Sequence, residues 1–213
     1  VLISSNDGTR AFALGKRHGS QEEFKLEFKT LKPCIHSSDA HKFDDIFCPK
    51  GGRQTWIKAD PTFYGLRQIL NEPEDRVFVG DIPPSLARAA RHATRLATTV
   101  VVKKAATATT TEKWFDASLP LNNELVAVIG NKGSGKSALS DILGLLGNTP
   151  RYEAFSFLTP AKFRRPKNNK SRQFEASLTW ADGTTDTVPN LDVNPSPDAV
   201  EKVKYIPQSY LED

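Results

Sequence analysis

The sequence predicts an α/β protein, and three observations carry that prediction. Residues 124–129 (Glu-Leu-Val-Ala-Val-Ile) form a β-branched apolar run of buried-strand type. A glycine-rich turn follows, and then residues 137–146, where Leu139, Ile142, Leu143 and Leu146 fall on one helical face. Finally, residues 173–188 alternate through Phe174, Ala176, Leu178 and Trp180 up to a turn at Asp182-Gly183, with Thr184 to Val188 placed to return as the partner strand.

The earlier elements follow in order. From Phe24 to about Gly80, short apolar strands alternate with polar turns around one helix. Asp60-Pro61 supplies an N-cap and a first-turn proline; Phe63, Leu66, Ile69 and Leu70 recur at helical spacing, and Glu72-Pro73 stops the run. Residues 76–79 (Arg-Val-Phe-Val) read as the next strand. Pro83-Pro84 breaks the pattern, and Ser85 caps a short helix with Arg88, Arg91 and Arg95 on one face. The Thr/Ala-rich stretch 105–111 reads as a linker or exposed turn, and residues 203–206 as a last short strand. The expected organisation is therefore a first domain over 1–80, a basic linker over 81–112 and a second domain over 113–213.

Composition narrows the class. Of 213 residues 38% are hydrophobic and 25% charged, far from the composition of disordered chains. No run approaches 18 apolar residues, and the first residues lack the order of a signal peptide, so a soluble, cytoplasmic protein without membrane contact is expected. Cys34 and Cys48 suit neither a disulfide framework nor a zinc ribbon. Methionine is absent, which predicts that Val1 is not a natural start and that the chain is a piece of a longer protein. Lys and Arg total 29 against 25 acidic residues. The excess is concentrated: residues 85–113 hold six basic side chains against Glu112, and residues 151–175 hold seven against Glu153 and Glu175. That asymmetry suits a polyanionic partner.

Gly130-Asn131-Lys132-Gly133-Ser134-Gly135-Lys136-Ser137 satisfies the phosphate-loop pattern GxxxxGK[ST] at every fixed position, a match expected by chance in a chain this long on the order of once in a hundred. It also sits between an apolar strand-like run and an amphipathic helix, where the mechanism needs it. The glycines let backbone N–H groups turn toward phosphates, and the helix presents its positive end to them. In that pattern Lys136 reaches the β- and γ-phosphates and the Ser137 hydroxyl ligates Mg²⁺.

The wording of this loop, the antiparallel segment after it and Tyr205-Ile-Pro-Gln208 together resemble the N-terminal lobe of the ABC-type ATPase heads of SMC and RecN-like proteins. The resemblance implies ATP and Mg²⁺ as cofactors and dimerisation through the heads. It also implies a Q-loop role for Gln208 at the Mg²⁺ and γ-phosphate, although an ordinary surface glutamine reads the same in isolation. Neither a Walker B Asp-Glu pair nor a signature motif occurs before Asp213, so this stretch by itself is expected to bind nucleotide weakly and to lack a complete hydrolytic site.

A second constellation lies at Lys32-Pro-Cys-Ile-His36-Ser-Ser-Asp39-Ala-His41. Asp39 and His41, two apart, face one side if the segment is strand-like, so both can address one metal; an accidental surface pair is the alternative. Followed by Trp56-Ile-Lys-Ala-Asp-Pro-Thr-Phe and Glu72-Pro-Glu, the segment resembles the last metal motif and C-terminal end of a PHP (polymerase and histidinol phosphatase) domain. More narrowly, the order of the two parts resembles bacterial TrlF-type proteins, in which a PHP domain precedes an ABC/SMC-like ATPase. That resemblance implies an irregular (β/α) barrel and Mn²⁺ or Zn²⁺ held by Asp39 and His41, with His36 as a metal neighbour or a structural residue. The family's His-x-His pair has no match here, where His18, His36, His41 and His92 are the only histidines.

Arg88, Arg91 and Arg95, and the cluster Lys162, Arg164, Arg165, Lys167 and Lys170, are the candidate nucleic-acid contacts, against the alternative of solvated faces. The expected function is an ATP-binding and hydrolysing SMC-like ATPase coupled to a PHP phosphoesterase acting on nucleic acid, in DNA repair or in defence against phage and mobile elements. The alternatives are a nucleotide-switched nucleic-acid binding or sensor protein with a non-catalytic PHP scaffold, and an ATP-regulated small-molecule phosphatase.

Overall fold

The computed structural model describes residues 1–111, 116–167, 169–207 and 210. They combine helices with small, mainly antiparallel sheets, and the chain divides into two compact units, residues 1–87 and 88–213.

The first unit opens with strand β1 (Leu2–Ile3), which pairs in parallel with β2 (Cys34–Ile35). Between them lie helices α1 (Asp7–Ala13) and α2 (Gln21–Phe28). Both start at side-chain caps: the Asn6 carboxamide accepts from Gly8 N at 2.7 Å, and the Ser20 hydroxyl accepts from Glu23 N at 3.1 Å. An aromatic cluster of Phe12, His18, Phe24 and Phe28 joins α1 to α2, with ring centroids 4.7 Å apart for Phe24 and Phe28. Strand β3 (Gln54–Ile57) pairs with β4 (Val77–Gly80), and the Trp56 indole N–H donates to Gly80 O at 3.2 Å.

Between β3 and β4 come α3 (Phe63–Gln68) and the single turn α4 (Pro73–Arg76). The cap of α3 is Thr62, whose hydroxyl accepts from Gly65 N at 3.0 Å, and not Asp60. Pro73 opens α4 at a position where its missing N–H is not needed; it does not simply end the preceding run.

Helix α5 (Pro84–Arg91) ends before Arg95, which lies in a separate 3₁₀ turn at residues 93–95, so the three arginines do not share one helix. The division between the units, after Ala87, falls inside the stretch expected to be a linker. More consequentially, residues 97–104 of that stretch are no linker: they form β5 (Ala97–Lys104), an inner strand of the second unit's sheet.

That sheet runs β6 (Ala117–Pro120), β5, β7 (Phe174–Trp180), β8 (Thr185–Val188), all neighbours antiparallel. Strand β7 alternates buried and half-buried along its whole length, placing Phe174, Ala176, Leu178 and Trp180 inward. The β7–β8 turn sits where Asp182-Gly183 predicts it, with Trp180 N donating to Thr184 O at 2.8 Å.

Helix α6 (Lys136–Leu146) packs on this sheet through Leu139, Ile142, Leu145 and Leu146, against Val100, Val102, Leu178 and Leu191. Burying one such aliphatic side chain stabilises by roughly 1.5–3 kcal/mol, which is why this amphipathic pattern overrides the modest length of the helix. At its C-terminal end, Gly147 O accepts from Lys202 N at 2.7 Å and Val203 N at 3.1 Å. Residues 203–206 thus run past the end of α6 as irregular chain, not as the expected strand.

Residues 124–129 are the main departure. They form no strand, and Leu125 and Ile129 are 86% and 90% exposed. The physical reason lies in the sheet order. Strand β6 is an edge, the chain leaves it after Leu121, and among the described residues no strand lies beside 124–129 to take up its backbone groups.

Candidate phosphate-binding site

Residues 130–135 turn tightly into α6. Gly133 (φ 88°) and Gly135 (φ 95°) occupy the left-handed region, where a side chain would be strained, and Gly135 is the N-cap residue of the helix. The loop thereby delivers Lys136 and Ser137 in the first turn of an eleven-residue helix, whose leading N–H groups point out of its end.

Lys136 folds back over the loop, its ammonium donating to Gly130 O at 2.6 Å and Asn131 O at 2.9 Å. Ser137 is exposed. A recess of about 290 Å³ opens here, lined among others by Lys132, Lys136, Ser137, Ser156, Phe157 and Lys162. Three lysines and two serines are among the residues that line it, and no Asp or Glu is found among the described lining residues. Lys162 donates to Ser156 O at 2.5 Å.

Behind the recess, Asp141 is fully buried on the inner face of α6. Its Oδ2 accepts from Phe157 N at 2.6 Å and Leu158 N at 3.1 Å, and its Oδ1 accepts from the Tyr205 hydroxyl at 2.8 Å. One carboxylate therefore ties the loop's helix to the recess wall at 157–158 and to the segment approaching residue 207. Burial, reinforced by the hydrogen bond to Asp141, pushes the Tyr205 phenol well above its usual value. Sequence reasoning missed Asp141. The available signal was a lone carboxylate at position 141 in the stripe that also carries Leu139, Ile142 and Leu145, since a buried acid needs partners.

The other expected site residues are less well gathered. Gln208 lies outside the described residues. His36 is 7% exposed just past β2, its backbone N donating to Thr55 Oγ1 at 2.9 Å. Asp39 and His41 are exposed on the irregular chain that follows, and Asp39 has φ 56°, which breaks the extended alternation needed to turn it and His41 to one side. Among the described residues no group of three or more His, Cys, Asp or Glu is arranged to hold a metal.

The basic candidates separate in the same way. Arg164 is half-buried, with Nε donating to Leu191 O at 2.7 Å, Nη1 to Asn194 Oδ1 at 2.7 Å and Nη2 to Val193 O at 2.6 Å. It anchors the 191–194 segment and does not reach outward. Burial lowers its pKa, with Asp192 and Asp141 opposing. Arg165 Nε donates to Ala161 O at 2.7 Å, and Arg88 pairs with Glu124 at 2.7 Å. Arg91, Arg95 and Lys167 are exposed, Lys170 is half-buried, and Lys162 faces the recess. The cluster expected to meet nucleic acid as one surface is thus divided among different tasks.

No family model, curated protein or solved structure matches this chain. Among the described residues no helix is long and apolar enough to cross a membrane.

Proposed function

We propose that residues 88–213 bind a nucleoside triphosphate, ATP by the sequence resemblance, through the Gly130–Ser137 loop. In this reading the unit is the N-terminal lobe of an ABC/SMC-like ATPase head, with β5 to β8 as its antiparallel subdomain and heads that pair in a homodimer. The observation that carries the proposal is the recess at the start of α6, where Lys132, Lys136 and Ser137 meet at a glycine-rich loop and the described lining residues include no opposing carboxylate. The exposed Ser137 hydroxyl fits a Mg²⁺ ligand. Mg²⁺ bound with the nucleotide would neutralise charge on the β- and γ-phosphates.

The first unit reads by resemblance as the C-terminal end of a PHP-type barrel. Asp39, His41 and His36 have the right donor atoms for Mn²⁺ or Zn²⁺, yet two are exposed on irregular chain and the third is packed beside Thr55. These residues do not make a centre, and no metal-dependent step is assigned to them. Coupling to a nucleic-acid phosphoesterase therefore rests on the sequence resemblance. The position of Asp39 and His41 favours the second reading, a nucleotide-switched nucleic-acid binding or sensor protein with the first unit as scaffold.

Lys136→Ala tests the nucleotide assignment. Losing charge-assisted bonds to two phosphate oxygens should weaken Mg-ATP binding by about 100-fold, measured by calorimetry on the 213-residue chain with nucleotide up to millimolar concentration. Unchanged affinity overturns it. Incubating the protein with Mn²⁺, ATP and labelled DNA or RNA separates the two readings: cleavage supports the phosphoesterase, and ATP-dependent binding without cleavage supports the switch.

A further inference from the structure

We propose that Lys162 is a second cation of the triphosphate site, recognising the same polyphosphate as Lys136; the proposal rests on the nucleotide reading above. Lys162 belongs to the loop after α6, and its neighbours hold it at the recess. Phe163 is 9% exposed and stacks on Phe157 with centroids 4.8 Å apart, while Phe157 N and Leu158 N are fixed to Asp141. The backbone on both sides of Lys162 is thereby tied to α6 and the core, and the side chain itself is exposed at the recess mouth.

Its partner is equally informative. Several lysines in this chain meet carboxylates: Lys16 meets Glu74, Lys103 meets Glu175 and Lys202 meets Asp186. Lys136 and Lys162 instead donate to peptide carbonyls, of Gly130 and Asn131 in one case and Ser156 in the other; Lys104 does the same with Thr110 O, but only Lys136 and Lys162 of these three line the recess. An ammonium group gains more from an anionic oxygen than from a neutral one, since charge-assisted bonds are roughly twice as strong. Both lysines are therefore held where a phosphate oxygen can replace a carbonyl as their partner. With Lys132 the recess presents three positive charges, which suits a polyphosphate better than a single phosphate. This places Lys162 with the nucleotide and not with nucleic acid.

The test titrates the 213-residue protein and its K162Q, K162R and K136A variants with a fluorescent ATP analogue and Mg²⁺ at low and moderate salt, with AMP as competitor. Lys162 is exposed, so K162Q should keep the wild-type melting temperature. Losing one charge-assisted bond predicts about tenfold weaker ATP binding and a shallower salt dependence in K162Q, no change for AMP, and near-wild-type affinity in K162R. If K136A loses ATP while K162Q binds like wild type, the nucleotide reading stands and the role of Lys162 falls. Equal losses in K162R and K162Q would assign the effect to loop geometry and also overturn it. If the wild-type protein binds no ATP, or K136A changes nothing, the nucleotide reading and the role of Lys162 fall together.

Discussion

Replacing Asp141 gives the most direct test of how the glycine-rich loop is held. Asp141→Ala leaves three donors without their acceptor, Phe157 N–H, Leu158 N–H and the Tyr205 hydroxyl, at a site sealed from water. At about 1–2 kcal/mol for each stranded donor, the loss is about 3–6 kcal/mol, a large part of the stability of a typical domain. Asp141→Asn behaves differently. Its carboxamide oxygen can keep the two backbone donors, and its NH₂ can donate to a reoriented Tyr205 oxygen, so all three contacts survive in weaker, uncharged form. Removing a buried charge offsets part of that weakening, and the net cost should be about 1 kcal/mol. The assay is urea unfolding followed by tryptophan fluorescence in a Trp56→Phe/Trp114→Phe background, which leaves the buried Trp180 of the second unit as the reporter. With a urea m-value of about 2 kcal/mol/M, the midpoint should fall by about 2 M for Ala and by about 0.5 M for Asn. Equal midpoints for the two variants would refute the hub role, because they would show that the acceptor geometry at position 141 does not matter.

Three further outcomes follow from the same unit. Arg164→Ala removes three hydrogen bonds from a half-buried guanidinium to the 191–194 segment and should cost about 2–4 kcal/mol, read as a lowered urea midpoint. Arg88→Ala breaks an ion pair whose side chains are 55% and 33% exposed, so its melting temperature should stay within a degree or two of wild type, corresponding to less than about 1 kcal/mol. Because the Tyr205 pKa is raised on folding, its contribution is fully present below the unfolded value of about 10 and declines as pH rises beyond it. Stability of the second unit measured from pH 9 to 11 should therefore fall, and Tyr205→Phe should flatten that slope; an unchanged slope counts against the assignment.

How much of this was legible beforehand depends on the range of the forces involved. Local patterns carried through: the inward alternation of Phe174 to Trp180, the turn at Asp182-Gly183 and the helix carrying Leu139, Ile142 and Leu146 all lie where their spacing places them. Sheet partnership did not. Ala97–Lys104 has the Val-Val-Val centre of a strand, but its neighbours to either side, Thr/Ala-rich and basic, read as a linker, and only pairing with β6 and β7 reveals its place. Residues 124–129 show the converse, since an apolar run becomes a strand only where another strand meets it. Within the site, the motif located Lys136 and Ser137, whereas the roles of Asp141, Lys162 and Arg164 depend on contacts between segments well separated in the chain.

The position of β5 also bears on the order of folding. Val100 faces Leu119 on one side and Leu178 on the other, so the second pairing waits until the chain has passed through the glycine-rich loop, α6 and the loop carrying Lys162. Closing so long an excursion is slow, because its entropy cost precedes the contacts that repay it. Until β7 docks, the face of α6 bearing Ile142 has only Val100 and Val102 of β5 to cover it and lacks Leu178. A nascent chain that has reached Leu146 but not Phe174 therefore holds every residue of the phosphate-loop motif without the surface that shapes it. On the proposed nucleotide reading, affinity should appear late, as a report that the sheet has closed.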